Sequence, residues 1–137
     1  MFKNYFDLIR VPQWIKNLFV FVPLLFSMHL FEYQYFISTL KAFFIFCLAS
    51  SLIYIINDIV DLEVDANHPK KKERPLPSGR ISKQSAVILA IVILFIVVGM
   101  SFAANSEFIL LLLGFVILNV LYSFFFKHIV ILDVFSI

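Results

Sequence analysis

Four long stretches of the chain, residues 17–31, 42–57, 84–106 and 108–126, contain no Asp, Glu, Lys or Arg. A helix needs roughly 20 apolar residues to cross the hydrocarbon of a bilayer, so the third and fourth runs qualify unaided. The second qualifies if its helix begins near Tyr35, with Lys41 snorkelling its ammonium toward the headgroups. The first is short and carries Pro23, yet it too is read as a span. Its basic approach would also suit a signal peptide, but no small-residue cleavage site follows, and Phe31-Glu32-Tyr33 is a poor substitute. After Lys127 and His128 a new apolar stretch, 129–137, is too short to cross as a helix. The expected architecture is all-α: a polytopic transmembrane helical bundle of four spans plus the start of a fifth, with 1–137 as the amino-terminal part of a single transmembrane domain.

Composition agrees. The 137 residues are 62% hydrophobic and 15% charged, whereas a soluble domain is about half apolar and about a quarter charged. Disorder and most soluble folds are thereby excluded. A single cysteine, Cys47, rules out an internal disulfide, and no Cys/His metal spacing exists. No nucleic-acid partner is expected.

Orientation follows from where the 11 Lys and Arg fall. Lys3, Arg10 and Lys16 precede or open the first span, and Lys70, Lys71, Lys72, Arg74, Arg80 and Lys83 lie between the second and third. Lys127 follows the fourth, and only Lys41 falls near the other side. The positive-inside rule then makes the amino terminus, the long loop and the end of the fourth span cytoplasmic. The connection opposite is plain, with Asn105-Ser106-Glu107 as a minimal turn. An integral protein of a bacterial plasma membrane is expected, its chemistry at the cytoplasmic ends of the second and fourth spans.

The second span runs into NDIVDLEVD, residues 57–65. If the helix continues at about 100° per residue, Asp61 and Asp65 lie within roughly 60° of Asp58, and Tyr54 and Ser51 share their stripe. Glu63 points elsewhere. Carboxylates stacked this closely repel one another and need a cation. Oxygen ligands without His or Cys suit Mg²⁺, which binds a few carboxylates and takes substrate phosphate oxygens as further ligands. A solvated acidic helix end at the membrane surface is the plainer alternative.

The stretch from Asn67 to Arg80 holds three prolines and a glycine and reads as a loop. Its basic residues can serve as topology anchors and contacts to anionic lipid. Beside an acidic helix end they can equally hold a diphosphate between metal and ammonium groups. Trp14 reads most simply as an interfacial anchor, with Gln13 and Lys16 as edge groups able to grip phosphate. Asn119, Tyr122 and Ser123 share one face of the fourth span, where helix-to-helix hydrogen bonding is the simplest role.

NDIVDLEVD followed by HPKKKERPLPSG resembles the first acidic motif and basic loop of the UbiA superfamily of intramembrane prenyltransferases. RVPQWIKNLFVF and the His-Pro-Lys-Lys loop look most like its polyprenyl-phosphate phosphoribosyltransferase branch, that of the decaprenyl-phosphate phosphoribosyltransferases, and LYSFFFKHIVILDV fits the fourth-helix Tyr and Lys pattern. The resemblance implies a nine-helix bundle with a central cavity open sideways to lipid and a Mg²⁺-diphosphate site at its cytoplasmic mouth. Asp58, Asp61 and Asp65 would be the catalytic metal ligands, with Asn57 supporting them. Lys71, Lys72 and Arg74 would contact the phosphates of phosphoribosyl diphosphate, and Tyr122 and Lys127 would line the mouth. Lys16 is the candidate for the headgroup of the lipid substrate, a polyprenyl phosphate. Lys72 and Pro77 stand where that branch is expected to carry Arg and Ala. A second Asp-rich motif is expected in a later helix and is absent from these residues. The chain is therefore read as an amino-terminal fragment with little activity alone.

Two other readings remain open at this level. The same acidic motif could ionise a prenyl diphosphate and alkylate an aromatic acceptor, as in quinone or haem-lipid synthesis. The carboxylates could instead bind cations in a non-catalytic membrane module, which would predict acidic residues deeper in the spans than 42–56 contains.

Overall fold

The computed structural model describes residues 2–102 and 106–124. Its elements are helical: α1 (Phe2–Leu8), a 3₁₀ segment (Val11–Phe21) running into α2 (Val22–Phe26), α3 (Tyr33–Val60), α4 (Leu62–Ala66), a 3₁₀ turn (Lys71–Glu73), α5 (Lys83–Ser101) and α6 (Ser106–Phe124). By length and composition α3 and α5 can each cross a membrane. The bent pair Phe2–Leu8 and Val11–Phe26, with an angle of 48° between its parts, is a third candidate, and α6 is apolar over Ser106–Tyr122. Residues 129–137, expected to open a fifth span, lie outside the described residues.

The first span differs from its expected bounds of 17–31. It starts earlier, at Val11, and its helical part ends at Phe26; the chain then turns, with Met28 at a left-handed φ of 60°. The cause is at its entry. Arg10 takes a left-handed backbone (φ 53°, ψ 46°), which ends α1, and Pro12 then sits in the first turn of the 3₁₀ segment, where its missing N–H costs nothing. A 3₁₀ helix rises about 2.0 Å per residue against about 1.5 Å for α. Val11–Phe26 therefore reaches about 30 Å, the thickness of the hydrocarbon, which an all-α helix of that length would not.

Three residues per turn also eclipses every third side chain. Val11, Trp14, Asn17 and Val20 are half-buried, while the residues between them are exposed. That stripe lies against α3, the hub of the bundle, which also packs on α5 and α6. On α5 the buried stripe is Ala86, Ala90, Ile93, Val97 and Ser101, spaced three and four apart. Its two alanines let the helix backbones approach closely, the route by which helices associate in lipid. Phe46 of α3 meets Phe108 and Phe115 of α6 edge-on, with ring centroids 5.7 and 5.2 Å away. Ile88, Phe95, Leu110 and Leu111 point outward, as lipid-facing residues should.

Two connections depart from expectation. Glu107, expected in a turn, lies in the first turn of α6, where its charge suits the positive end of the helix; Asn105 lies outside the described residues. The acidic motif is not one continuous helix. α3 ends at Val60 and α4 starts at Leu62, with Asp61 between them at φ −89°, ψ 11°. The break is shallow, because the Asp61 N–H still donates to Asn57 O (2.9 Å) and the Asp65 N–H to Asp61 O (2.8 Å).

The loop after α4 is folded back onto α3 and α5. His68 Nδ1 accepts from the backbone N–H of Lys70 (3.2 Å) and Lys71 (3.3 Å), and Leu76 and Ile81 are buried in the core. Gly79, at φ +72°, makes the reversal between them, a conformation that only glycine adopts freely. Arg80 ties the reversal down by donating to Ser78 Oγ (2.9 Å) and to the Glu73 carbonyl. Ser82 caps α5 by accepting from the Ser85 N–H (3.1 Å).

Candidate functional site

The end of α3, α4 and the folded loop bring two carboxylates together. Asp58 is 3% exposed and Asp65 1%. Seven residues is close to two α-helical turns, so the near-helical junction at Asp61 leaves them on one side. Between them stands Arg74, whose Nη1 donates to Asp58 Oδ1 (3.1 Å) and to Asp65 Oδ2 (2.7 Å). Arg10 Nη2 donates to Asp58 Oδ1 as well (2.7 Å). Lys71 Nζ lies 3.0 Å from Asp65 Oδ1. That last pair is ionic but lacks hydrogen-bond geometry, so Oδ1 is a buried carboxylate oxygen without a hydrogen-bond donor.

Arg10, Arg74 and Lys71 thus offset the charge of Asp58 and Asp65. Desolvation explains the pairing itself: a carboxylate withdrawn from water costs several kcal/mol unless a cation and hydrogen bonds offset it.

Arg10 went unrecognised as a site residue at the sequence level. Its guanidinium carbon lies 4.5 Å from the centre of the Tyr54 ring, a cation–π contact that flattens the side chain against α3. Its backbone is held by Ser51. Ser51 Oγ shares its proton between the carbonyls of Ile9 (2.7 Å) and Cys47 (2.9 Å) and accepts from Trp14 Nε1 (3.0 Å). Trp14, expected as an interfacial anchor, thus points its indole N–H into the bundle. One turn on, Asn17 Nδ2 reaches Ser50 Oγ (3.3 Å) and Cys47 Sγ (3.4 Å). No sequence pattern marks this face, since Ile15, Leu18 and Phe19, which are exposed, are as apolar as Val11, Trp14 and Val20.

A cleft of about 190 Å³ adjoins the cluster through Tyr54. Gln13, Trp14, Lys16 and Asn17 of the 3₁₀ segment form one wall, Ser50 and Tyr54 of α3 another, and Phe115 and Asn119 of α6 a third. Asn119 Nδ2 donates to its own helix at Phe115 O (2.8 Å).

Of the residues expected at a site, Asp58, Asp65, Lys71 and Arg74 form one network. Lys16 is placed beside it on the cleft wall. Asn57 is half-buried in the last turn of α3, Asp61 half-buried at the break, and Lys72 exposed on the 3₁₀ turn. Tyr122 is half-buried one turn beyond Asn119. Lys127 lies outside the described residues, and the side chain of Ser123 is likewise not described.

The donor set fits a hard divalent cation. Among the described residues no three acidic, imidazole or thiol groups converge on one point. Mg²⁺, however, needs only one or two protein carboxylates when phosphate oxygens and water complete its shell. Asp58 and Asp65 supply that number, and Asp65 Oδ1 is a buried acceptor without a hydrogen bond.

Comparison with known proteins gives the family. The decaprenyl-phosphate phosphoribosyltransferase of Mycolicibacterium smegmatis is 35% identical over 130 residues, covering 92% of this chain and 41% of that protein. An uncharacterised protein of Sinorhizobium fredii is 33% identical over 132 residues, covering 96% of this chain and 26% of that protein. The chain thus spans between about a quarter and two-fifths of the length of these relatives. A solved structure of a digeranylgeranylglyceryl phosphate synthase superposes with a TM-score of 0.73 at 25% identity, over 92% of this chain and 44% of that one. The model of the UbiA prenyltransferase family matches residues 18–137. With its apolar helices and its buried acidic pair, this integral membrane chain belongs to the UbiA prenyltransferase family.

Proposed function

We propose that the protein acts as a Mg²⁺-dependent transferase that moves 5-phosphoribose from phosphoribosyl diphosphate to a polyprenyl phosphate and releases diphosphate. The observation that carries this reading is the meeting of Asp58 and Asp65 on Arg74, beside a polar cleft at one end of a lipid-embedded bundle. The relatives named decaprenyl-phosphate phosphoribosyltransferase support the choice of donor and acceptor. The amino terminus and the loop carrying Arg74 face the cytoplasm of a bacterial plasma membrane, in keeping with the basic residues they hold.

The roles follow from charge and place. Asp58 and Asp65, with Asp61 at the break, would hold Mg²⁺, and the ion would supply neutralisation of the charge that develops on the departing diphosphate. Arg74, Lys71 and the exposed Lys72 bind the diphosphate oxygens, and Arg10 keeps Asp58 in place. Asn57 supports the acidic turn. Lys16 holds the lipid phosphate on the wall of the cleft, with Tyr122 and Lys127 toward the mouth. An oxygen of the lipid phosphate bonds to C1 of the ribose as the bond from C1 to diphosphate breaks, and the electron pair leaves with the diphosphate. No protein nucleophile is needed, so positioning and charge stabilisation supply the catalysis.

A second reading, prenyl transfer from a prenyl diphosphate to an aromatic acceptor, is supported by a relative from Blochmanniella pennsylvanica named 4-hydroxybenzoate octaprenyltransferase, 36% identical over 75 residues. Membranes containing the protein separate the two. Consumption of labelled phosphoribosyl diphosphate with polyprenyl phosphate supports the first reading; consumption of labelled prenyl diphosphate alone supports the second.

A further inference from the structure

Arg74 occupies the point on which the two buried carboxylates converge. A single nitrogen, Nη1, lies 3.1 Å from Asp58 Oδ1 and 2.7 Å from Asp65 Oδ2. No other cation among the described residues pairs with both, since Arg10 meets Asp58 alone and Lys71 meets Asp65 alone. The two arginines are also held differently. Arg10 is fixed from outside the acidic pair, by the Tyr54 ring and by the Ser51 hydroxyl on the carbonyl of the preceding residue. Arg74 extends from a proline-bounded loop, and its side chain is 30% exposed, against 24% for Arg10. Both reach solvent, but Arg74 alone of the two pairs with both carboxylates.

Two neighbouring carboxylates taken out of water need a countercharge at all times, because an unpaired buried ion costs several kcal/mol. A divalent cation bound between Asp58 and Asp65 would supply it, but it cannot share that point with a guanidinium. We propose that Arg74 is a built-in counterion, which fills the cation's place between Asp58 and Asp65 in the unloaded site and moves onto the diphosphate when the metal enters. The inference rests on the metal-dependent reading above. It adds that metal and diphosphate load together: metal alone must evict Arg74 without offering it a new partner, whereas diphosphate provides one. By linkage, each ligand then tightens the other.

Mn²⁺ binding to the purified protein in detergent, followed by the electron paramagnetic resonance of the free ion, tests this without any turnover. The wild type should bind Mn²⁺ alone weakly, and inorganic diphosphate should tighten it. Arg74→Gln should bind Mn²⁺ alone about tenfold more tightly, equivalent to about 1.4 kcal/mol, with a smaller gain from diphosphate. Arg10→Gln and Lys71→Gln remove the same charge from the same cluster and should gain clearly less. Thermal unfolding of the same samples checks folding: Arg74→Gln should melt lower than wild type without metal and recover with Mn²⁺. If that variant does not fold even with Mn²⁺, Arg74→Lys and the diphosphate titration of the wild type decide; the ammonium cannot bridge both carboxylates as well, so Arg74→Lys should fall between the two. Equal Mn²⁺ affinity in wild type, Arg74→Lys and Arg74→Gln overturns the inference and leaves the metal-dependent reading standing. Equal gains in Arg10→Gln, Lys71→Gln and Arg74→Gln overturn it as well, since bulk charge would then account for them. No Mn²⁺ binding by any form, with or without diphosphate, overturns both.

Discussion

Trp14 donates its indole N–H to Ser51 Oγ across 3.0 Å, and this contact joins the 3₁₀ segment to α3 at the level where the chain bends into Arg10. Ser51 is fully buried and also binds the carbonyl of Ile9, so one hydroxyl holds both sides of the bend. The electrostatic cluster at Asp58 depends on that bend, because Arg10 reaches Asp58 from a left-handed backbone that most residues avoid.

Ser51→Ala should therefore destabilise the protein by about 1–3 kcal/mol, since it leaves a buried indole N–H and a carbonyl unpaired. Ser51→Thr, which keeps the hydroxyl, should lose less. Unfolding in mixed micelles measures both, and an Ala variant as stable as wild type would remove the bend from the account.

Arg10→Gln takes one of two guanidinium partners from Asp58. Transfer, measured as kcat/KM for phosphoribosyl diphosphate, should fall about tenfold or more, within the range of a lost charged hydrogen bond. Arg10→Lys should recover part of the loss. Unaltered transfer in Arg10→Gln would make this arginine structural only.

Asp58 and Asp65 share Arg74, so their effects should not add. Asp58→Asn or Asp65→Asn alone should lower transfer at least about a hundredfold. The double variant should be little worse than the weaker single variant. Multiplicative losses would show that the two carboxylates act separately.

The stacking of these two aspartates was legible in the sequence, because their seven-residue spacing survives a break that keeps helical hydrogen bonds through Asp61. The break itself was not: no proline or glycine marks it, and only the backbone at Asp61 departs from helix. The spans α3 and α5 followed from long apolar runs. The first span did not, because its bounds of 17–31 came from a charge-free run, whereas the helical segment starts at Val11, includes Lys16 and ends at Phe26. Arg10 was legible only as a topology residue, since its pairing with Asp58 joins positions 48 apart and depends on a tertiary bend. Arg74 and Lys71 could be read from their place beside the acidic turn, but their engagement with the aspartates required the loop to fold back.

Lys16 lies on the cleft wall and is exposed, so its effect should be confined to the lipid substrate. Lys16→Gln should raise KM for polyprenyl phosphate severalfold, about 1 kcal/mol in binding, and leave KM for phosphoribosyl diphosphate unchanged. Steady-state kinetics in lipid nanodiscs distinguishes the two. A rise in both constants, or in neither, would place the lipid phosphate elsewhere.

The most direct measurement follows ribose-labelled phosphoribosyl diphosphate into the lipid phase of membranes containing the protein, supplied with polyprenyl phosphate and Mg²⁺. Label should enter the lipid with stoichiometric release of diphosphate, stop when EDTA removes the metal, and stay at background in Asp58→Asn membranes. Label that reaches the lipid equally in Asp58→Asn membranes, or a protein that consumes prenyl diphosphate and leaves phosphoribosyl diphosphate untouched, would contradict the account.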